Sequence, residues 1–135
     1  MSDFLYAPTH EWASVSKESD GTIIVTMGLT DYALELLMDL TYIELPSVGD
    51  ETTAGEKCGE IESVKAVSDI NAPATGEVIE VNESLEDSLD PMTSDPFGAG
   101  WICKIKVSDE SSLSSLLDEA AYRELCRVEK ENGDH

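Results

Sequence analysis

Lys65 is the side chain with the most to explain, in a chain that carries only eight Lys and Arg against 29 Asp and Glu. It stands among Glu60, Glu62 and Asp69, whose carboxylates favour its charged form. A charged lysine is a poor nucleophile. Lys65 therefore reads as a group to be displayed and modified, not one that catalyses. The other reactive types assemble into nothing. Cys58, Cys103 and Cys126 are odd in number, widely spaced and without a CxxC pair, which suits a reducing compartment and implies no zinc site. Two histidines, one of them terminal, build no Ser-His-Asp or Cys-His arrangement, and His10 has no motif partner. Asp87, Asp90 and Asp95 lack the spacing of a twelve-residue calcium loop and read as a solvated acidic surface. Gly98-Ala99-Gly100 precedes a strand, where a phosphate loop would follow one, and reads as a turn.

The flanks of Lys65 explain its display. Cys58 to Glu62 and Ile70 to Gly76 read as short strands, leaving Ser63 to Ser68 as the exposed connection. Upstream, Tyr6 to Val15 and Thr22 to Met27 form a first hairpin around Ser19-Asp20-Gly21. Thr30 or Asp31 caps a short helix over Asp31 to Leu37 that packs through Tyr32, Leu36 and Leu37. Thr41 to Leu45 is a strand ended by Pro46, and Val48-Gly49-Asp50 and Ala54-Gly55-Glu56 are turns. Glu77 to Val81 is a strand, and the carboxylate-rich Asn82 to Pro96 a surface connection. Trp101 to Val107 alternates, with Trp101, Cys103, Ile105 and Val107 on one face. Leu113, Leu116, Leu117, Ala120 and Ala121 have helical spacing, Asp118 is a candidate cap for a second helix, and helical character reaches Arg127, as one bent helix or as two. Gly76 is read as a tight turn.

At 135 residues one domain is expected, residues 1–128, with the lysine hairpin within 58–76 and a frayed, charged tail at 129–135. A net charge of −21 argues against nucleic acid and anionic membranes as partners. That acidity reads as a device for solubility or for high internal salt more than as a specific docking field. No run is long and apolar enough to span a membrane, and residues 1–20 resemble neither a signal nor a transit peptide. A cytoplasmic monomer is expected, the alternative being a chain whose transit sequence was removed earlier.

Glu62-Ser63-Val64-Lys65-Ala66 followed by Asn71-Ala72-Pro73-Ala74-Thr75-Gly76 resembles the lipoyl-attachment site of the glycine cleavage system H proteins. Four further blocks resemble that family in the same order: Tyr6-Ala7-Pro8-Thr9-His10-Glu11-Trp12, Gly28-Leu29-Thr30-Asp31-Tyr32-Ala33, Glu44-Leu45-Pro46 and Asp95-Pro96-Phe97-Gly98-Ala99-Gly100-Trp101. Together they cover nearly the whole chain. The resemblance implies a mainly β, lipoyl/biotinyl-type flattened sandwich, a barrel-sandwich hybrid, with a short internal helix and C-terminal helix or helices. Biotinyl carriers place Met on both sides of the lysine, where Val64 and Ala66 stand here, so biotin is the weaker reading.

The same resemblance implies a non-catalytic carrier with lipoate held as an amide on Lys65. Its partners would be a pyridoxal-phosphate glycine decarboxylase (P protein), a folate-dependent aminomethyltransferase (T protein), a dihydrolipoyl dehydrogenase (L protein), and a lipoyl or octanoyl transferase or lipoate ligase. It implies that Glu62 and Gly76 are read by the lipoylating enzyme, and that Glu11 and Asp69, with Thr9 beside them, hold the amine of the loaded arm in a cleft. Leu37-Met38-Asp39 departs from the Leu-Gly-Asp or Leu-Gly-Glu common in the family and implies a different helix end. Two alternatives stand beside this reading: an H-like carrier serving sulfur oxidation or lipoyl relay, and an unmodified acidic scaffold.

Overall fold

The computed structural model describes residues 3–133. Among the described residues nine strands form two antiparallel sheets that do not close into a barrel. β1 (Asp3–Tyr6), β2 (Glu11–Lys17) and β3 (Ile23–Leu29) form a meander. Alternation along β3 buries Ile23, Val25 and Met27 on one face, as a half-buried strand requires. β4 (Leu40–Glu44), β6 (Lys57–Ser63) and β7 (Val67–Asn71) make the small sheet, while the two-residue β5 (Glu51–Thr52) edges the large one. With β8 (Thr75–Val81) and β9 (Cys103–Asp109), the larger sheet has the order β1-β2-β3-β9-β8-β5 and the smaller β4-β6-β7. The main core lies between the sheets, with Met27, Ile43, Ile61, Ile70, Val78 and Ile105 among its members.

α1 (Asp31–Leu37) has the expected bounds, and Thr30 is its cap, its Oγ1 accepting from the Ala33 N–H at 3.1 Å. Its buried face is Ala33, Leu34 and Leu37; Leu36, expected inside, points outward. The helix ends on Met38 at φ 53°, in the left-handed region that favours glycine, with Asp39 following at φ 23°.

Four sequence readings change. Ile70 to Gly76 is not one strand: β7 ends at Asn71 in the small sheet and β8 (Thr75–Val81) begins in the large one. Ala72-Pro73-Ala74 makes the transfer, since Pro73 has no N–H to give a ladder. Asn82 to Pro96 is more than a surface connection. It holds α2 (Ser84–Asp87) and α3 (Asp90–Ser94), which drive Leu85 and Met92 into the core. The leucine-rich run after Asp109, read as α-helical by its spacing, is a shorter 3-10 turn followed by a break. β9 (Cys103–Asp109) leads into a 3-10 helix, Glu110–Ser115, and then Leu117 exchanges two backbone hydrogen bonds with Tyr6, at 2.7 and 2.8 Å. Finally, α4 (Glu119–Gly133) continues through most of the stretch read as a frayed tail, capped at its start by Asp118, which accepts from the Ala121 N–H at 2.8 Å. Asp134 and His135 lie outside the described residues.

Candidate functional site

β6 and β7 pair antiparallel up to Glu62 opposite Val67, and the chain reverses in four residues, Ser63 to Ala66. The Ser63 N–H donates to the Ala66 carbonyl at 2.8 Å, and Ser63 Oγ accepts from the Ala66 N–H at 3.2 Å. A third bond pins the tip from outside, the Val64 N–H donating to the carbonyl of Asp39 at 3.0 Å. The connection is thus shorter than the Ser63 to Ser68 expected, and its backbone is held in place. Val64, Lys65 and Ala66 are all exposed.

Lys65 makes no ion pair with any described residue. Two of the three carboxylates expected around it, Glu60 and Asp69, serve a different cation. Lys57 bonds Glu60 closely and approaches Asp69 to 3.6 Å. Glu60 and Asp69 are direct partners across β6 and β7, so Lys57 offsets a like-charge pair that would otherwise be unfavourable. Glu62 lies two pairs nearer the tip, between Tyr42 of β4 and Val67 of β7.

Gly76 is glycine for a reason other than a turn. It sits inside β8, where a Cβ would lie 2.1 Å from the Lys106 carbonyl oxygen of β9. The register shifts between Thr75 and Gly76, and the backbones close where only glycine fits.

Glu11 is fully buried. Its Oε2 accepts from the Asn71 N–H at 3.0 Å, at the end of β7, and its Oε1 accepts from the hydroxyl of Thr9, an exposed residue that lids it. Burial raises its pKa to about 7, against the lowering effect of those hydrogen bonds. Asp69 is two residues back along β7, about 7 Å at strand rise, but its side chain is exposed and turned to Lys57. Thr9 and Glu11 are therefore joined directly, Asn71 ties them to β7, and Asp69 stands apart on the outer surface. Burial, and then the Glu11 charge, push the Cys58 thiol up to about 12, which leaves it an inert packing group.

The structure adds residues with no sequence signal. His10, at φ 80°, presents Nε2 to Glu129 Oε1 at 2.9 Å and Nδ1 to the Tyr122 hydroxyl at 2.8 Å. The Tyr122 hydroxyl also meets Thr30 Oγ1 at 2.6 Å. A carboxylate only accepts, so Nε2 carries the proton; in the neutral ring Nδ1 then accepts from Tyr122, which accepts from Thr30. The chain runs from the cap of α1 through α4 to the residue between Thr9 and Glu11. His10 is thus a structural clasp. The hydrogen-bond partners of its ring lie more than 100 positions away in sequence, beyond any motif.

Residues 4–129 match the Glycine cleavage H-protein family. The chain is 54% identical over 123 residues to the glycine cleavage system H protein of Shewanella frigidimarina, covering 91% of this chain and 92% of that one. It is 51% identical over 124 residues to that of Escherichia coli, covering 92% and 93%. The fold is similar to the crystal structure of a glycine cleavage system H protein from Mycobacterium marinum, with a TM-score of 0.77, 38% identity and 97% of each chain covered. A pinned lysine hairpin on two antiparallel sheets, matched from end to end at this identity, places the chain in the glycine cleavage H-protein family.

Proposed function

We propose that this chain, a lipoyl carrier of glycine cleavage, takes its lipoyl group as an amide on Lys65. The observation that carries this reading is the tip itself: an exposed lysine without an ionic partner among the described residues, on a hairpin whose backbone is held by Ser63 and by Asp39. Such a lysine fits acylation. Its Nζ can reach an enzyme, and neutralising it breaks no ion pair in the fold. Bound there, lipoate supplies a disulfide that can accept a transferred group together with two electrons. Every relative reported above bears the glycine cleavage name, which does not favour the sulfur-oxidation, relay or scaffold alternatives.

The chain's own residues then have distinct tasks. β6 and β7 hold the attachment point away from the core, so that an arm can enter partner sites at high effective concentration. Glu62, beside the tip, and Gly76, buried against β9, are the features a lipoyl or octanoyl transferase or lipoate ligase would read. Thr9, Glu11 and Asp69 are the groups that would hold a cationic amine. Glu11 can take it only if Thr9 moves aside, because its carboxylate is covered. The partners are the glycine decarboxylase, the aminomethyltransferase and the dihydrolipoyl dehydrogenase, and the chain is a carrier subunit without a reaction of its own. We place it in the cytoplasm; none of its described helices is long and apolar enough to cross a membrane.

Intact mass of the protein purified from its own host, followed by peptide mapping, tests this. A lipoyl adduct on the peptide containing Lys65, absent from Lys65→Arg, is expected. Bare Lys65 in cells whose other lipoyl proteins are modified would refute it.

A further inference from the structure

His10 stands where the backbone favours glycine. Its N–H donates to the Ala7 carbonyl at 2.9 Å and the Ala7 N–H donates to the Glu11 carbonyl at 2.8 Å, closing a tight turn that sets His10 at φ 80° just before β2. A side chain kept in that region points to a task of its own. The ring is only 12% exposed, both its nitrogens have partners, and the Tyr32 ring lies against it with centroids 4.9 Å apart. Nothing in the carrier cycle set out above uses it.

Successive side chains of an extended segment face opposite ways. His10 and Trp12 turn toward α4, where Tyr122 bonds the first and shares an apolar cluster with the second. Thr9 and Glu11 meet each other on the opposite side, where Glu11 also meets the Asn71 N–H. α4 has anchors of its own: Tyr122 stacks on Tyr6 at 4.7 Å and Arg123 donates to Asp31 at 3.0 Å. The helix is thus held independently of His10. Pro8 and Thr9 are exposed, so the turn is steadied from behind, through the His10 ring.

From this arrangement we infer that His10 is a positioning residue: by fastening the back of the turn to α4 it holds Thr9 over Glu11, and so sets how long a loaded amine stays enclosed. The inference rests on the reading that Thr9 and Glu11 hold that amine. Thr9 must move aside for Glu11 to take the group, and must return to keep water out. With His10 clasped, that movement is confined to Thr9, and the Glu11 carboxylate stays on Asn71. With the clasp lost, the whole turn drifts and water reaches the carboxylate.

The experiment loads the lipoylated protein from glycine with the decarboxylase of the same host, removes that enzyme, and times the loss of the aminomethyl group by intact mass and released formaldehyde. In that loss water adds its oxygen to the methylene carbon and the C–S and C–N bonds break, leaving the arm's thiol, formaldehyde and ammonium. A second readout follows the Glu11 carboxyl carbon by NMR across pH in the unloaded protein. Cys58, the titratable group beside it, has its thiol pushed up to about 12 and stays neutral over the range. His10→Asn keeps a residue that tolerates the left-handed backbone but is too short to reach both Tyr122 and Glu129. It is expected to lose the group about 10-fold faster and to bring the Glu11 midpoint down from about 7 toward 4.5 as the carboxyl is wetted. Tyr122→Phe, which keeps the stacked ring and removes the hydroxyl, should move both readouts the same way. Glu129→Gln keeps an oxygen for Nε2–H and should retain the group longer than Glu129→Ala. Arg127→Ala removes ion pairs from the surface of α4 without touching the clasp and should change neither readout; circular dichroism melts confirm that each variant is folded. Retention and midpoint unchanged in His10→Asn and Tyr122→Phe would overturn the inference, as would Arg127→Ala losing the group equally fast. Glu11→Gln separates the two readings: if it too retains the group as the parent does, the amine-holding role of Glu11 fails and takes this inference with it, whereas rapid loss there beside normal retention in His10→Asn refutes the positioning role alone.

Discussion

Glu11→Gln separates the energetic penalty of a buried carboxylate from the benefit of its hydrogen bonds. Glu11 is buried with a pKa raised to about 7 from an ordinary 4.5. Below pH 4.5 the carboxyl is protonated in both folded and unfolded chains, and it places no pH-dependent load on stability. As the pH rises above 4.5 the unfolded chain releases the proton freely while the folded one retains it. Stability therefore falls, and goes on falling until the native carboxyl also ionises near pH 7. Above that the loss is complete, about 3 kcal/mol at about 1.4 kcal/mol per unit. Gln keeps an oxygen for the Asn71 N–H and an NH2 for Thr9, and it has no proton to release. The two proteins should be compared by urea unfolding at half-unit steps from pH 4.5 to 8. Their difference at pH 4.5 reports how well Gln fits the site. Its growth thereafter, in favour of Glu11→Gln, should reach about 3 kcal/mol by pH 7.5 to 8. Other carboxylates titrate identically in both and cancel. A difference that stays constant within about 0.5 kcal/mol across the range would refute a buried, neutralised Glu11.

Two further substitutions test the backbone. Gly76→Ala sets a Cβ against main-chain atoms of Lys106 that cannot rotate away, so β8 and β9 must separate; a loss of about 3 kcal/mol is expected, read as a lower midpoint in denaturant. Lipoylation of the folded fraction by a purified ligase then shows whether Gly76 matters to the enzyme beyond the sheet. Met38→Gly should raise the melting temperature by about 2 °C, because relief of roughly 1–2 kcal/mol of left-handed strain outweighs the added freedom of the unfolded chain. A fall in melting temperature would mean that the Met38 side chain contributes more by packing than its backbone loses.

The lysine hairpin and α1 were legible because their signals are local. Thr30 before a short apolar-patterned run is a cap wherever it occurs, and Lys65 stands out in a chain nearly free of cations. Where the physics is non-local the sequence misled. Ile70 to Gly76 has strand-like flanks, and only the demand that Pro73 give no hydrogen bond divides it between two sheets. Leu85 and Met92 lie in segments too short for helical periodicity to register, though both are core residues. Leu117 fits the helical spacing of its neighbours but is taken by Tyr6. The carboxylates near Lys65 in sequence were assigned to the wrong lysine because alternation turns Glu60 toward Lys57 on the outer face. Glu11 was named by resemblance, yet its complete burial and its tie to Asn71 follow from β2 crossing the end of β7.

The strand order fixes when the molecule can be finished during its own synthesis. β9, the last strand made, lies between β3 and β8, pairing Ile24 with Lys106 on one side and Val78 with Ile105 on the other. Until Cys103–Asp109 leaves the ribosome, β3 and β8 each present an unpaired edge, and the large sheet exists as two separate pieces. Contacts of such long sequence separation are slow to form, and open strand edges are templates for pairing with another chain. The surplus of carboxylates already present on the emerging chain keeps unfinished copies apart during that interval. An acidic composition thus has its strongest effect before the protein is complete, and a chain cut short between β8 and β9 would retain both open edges.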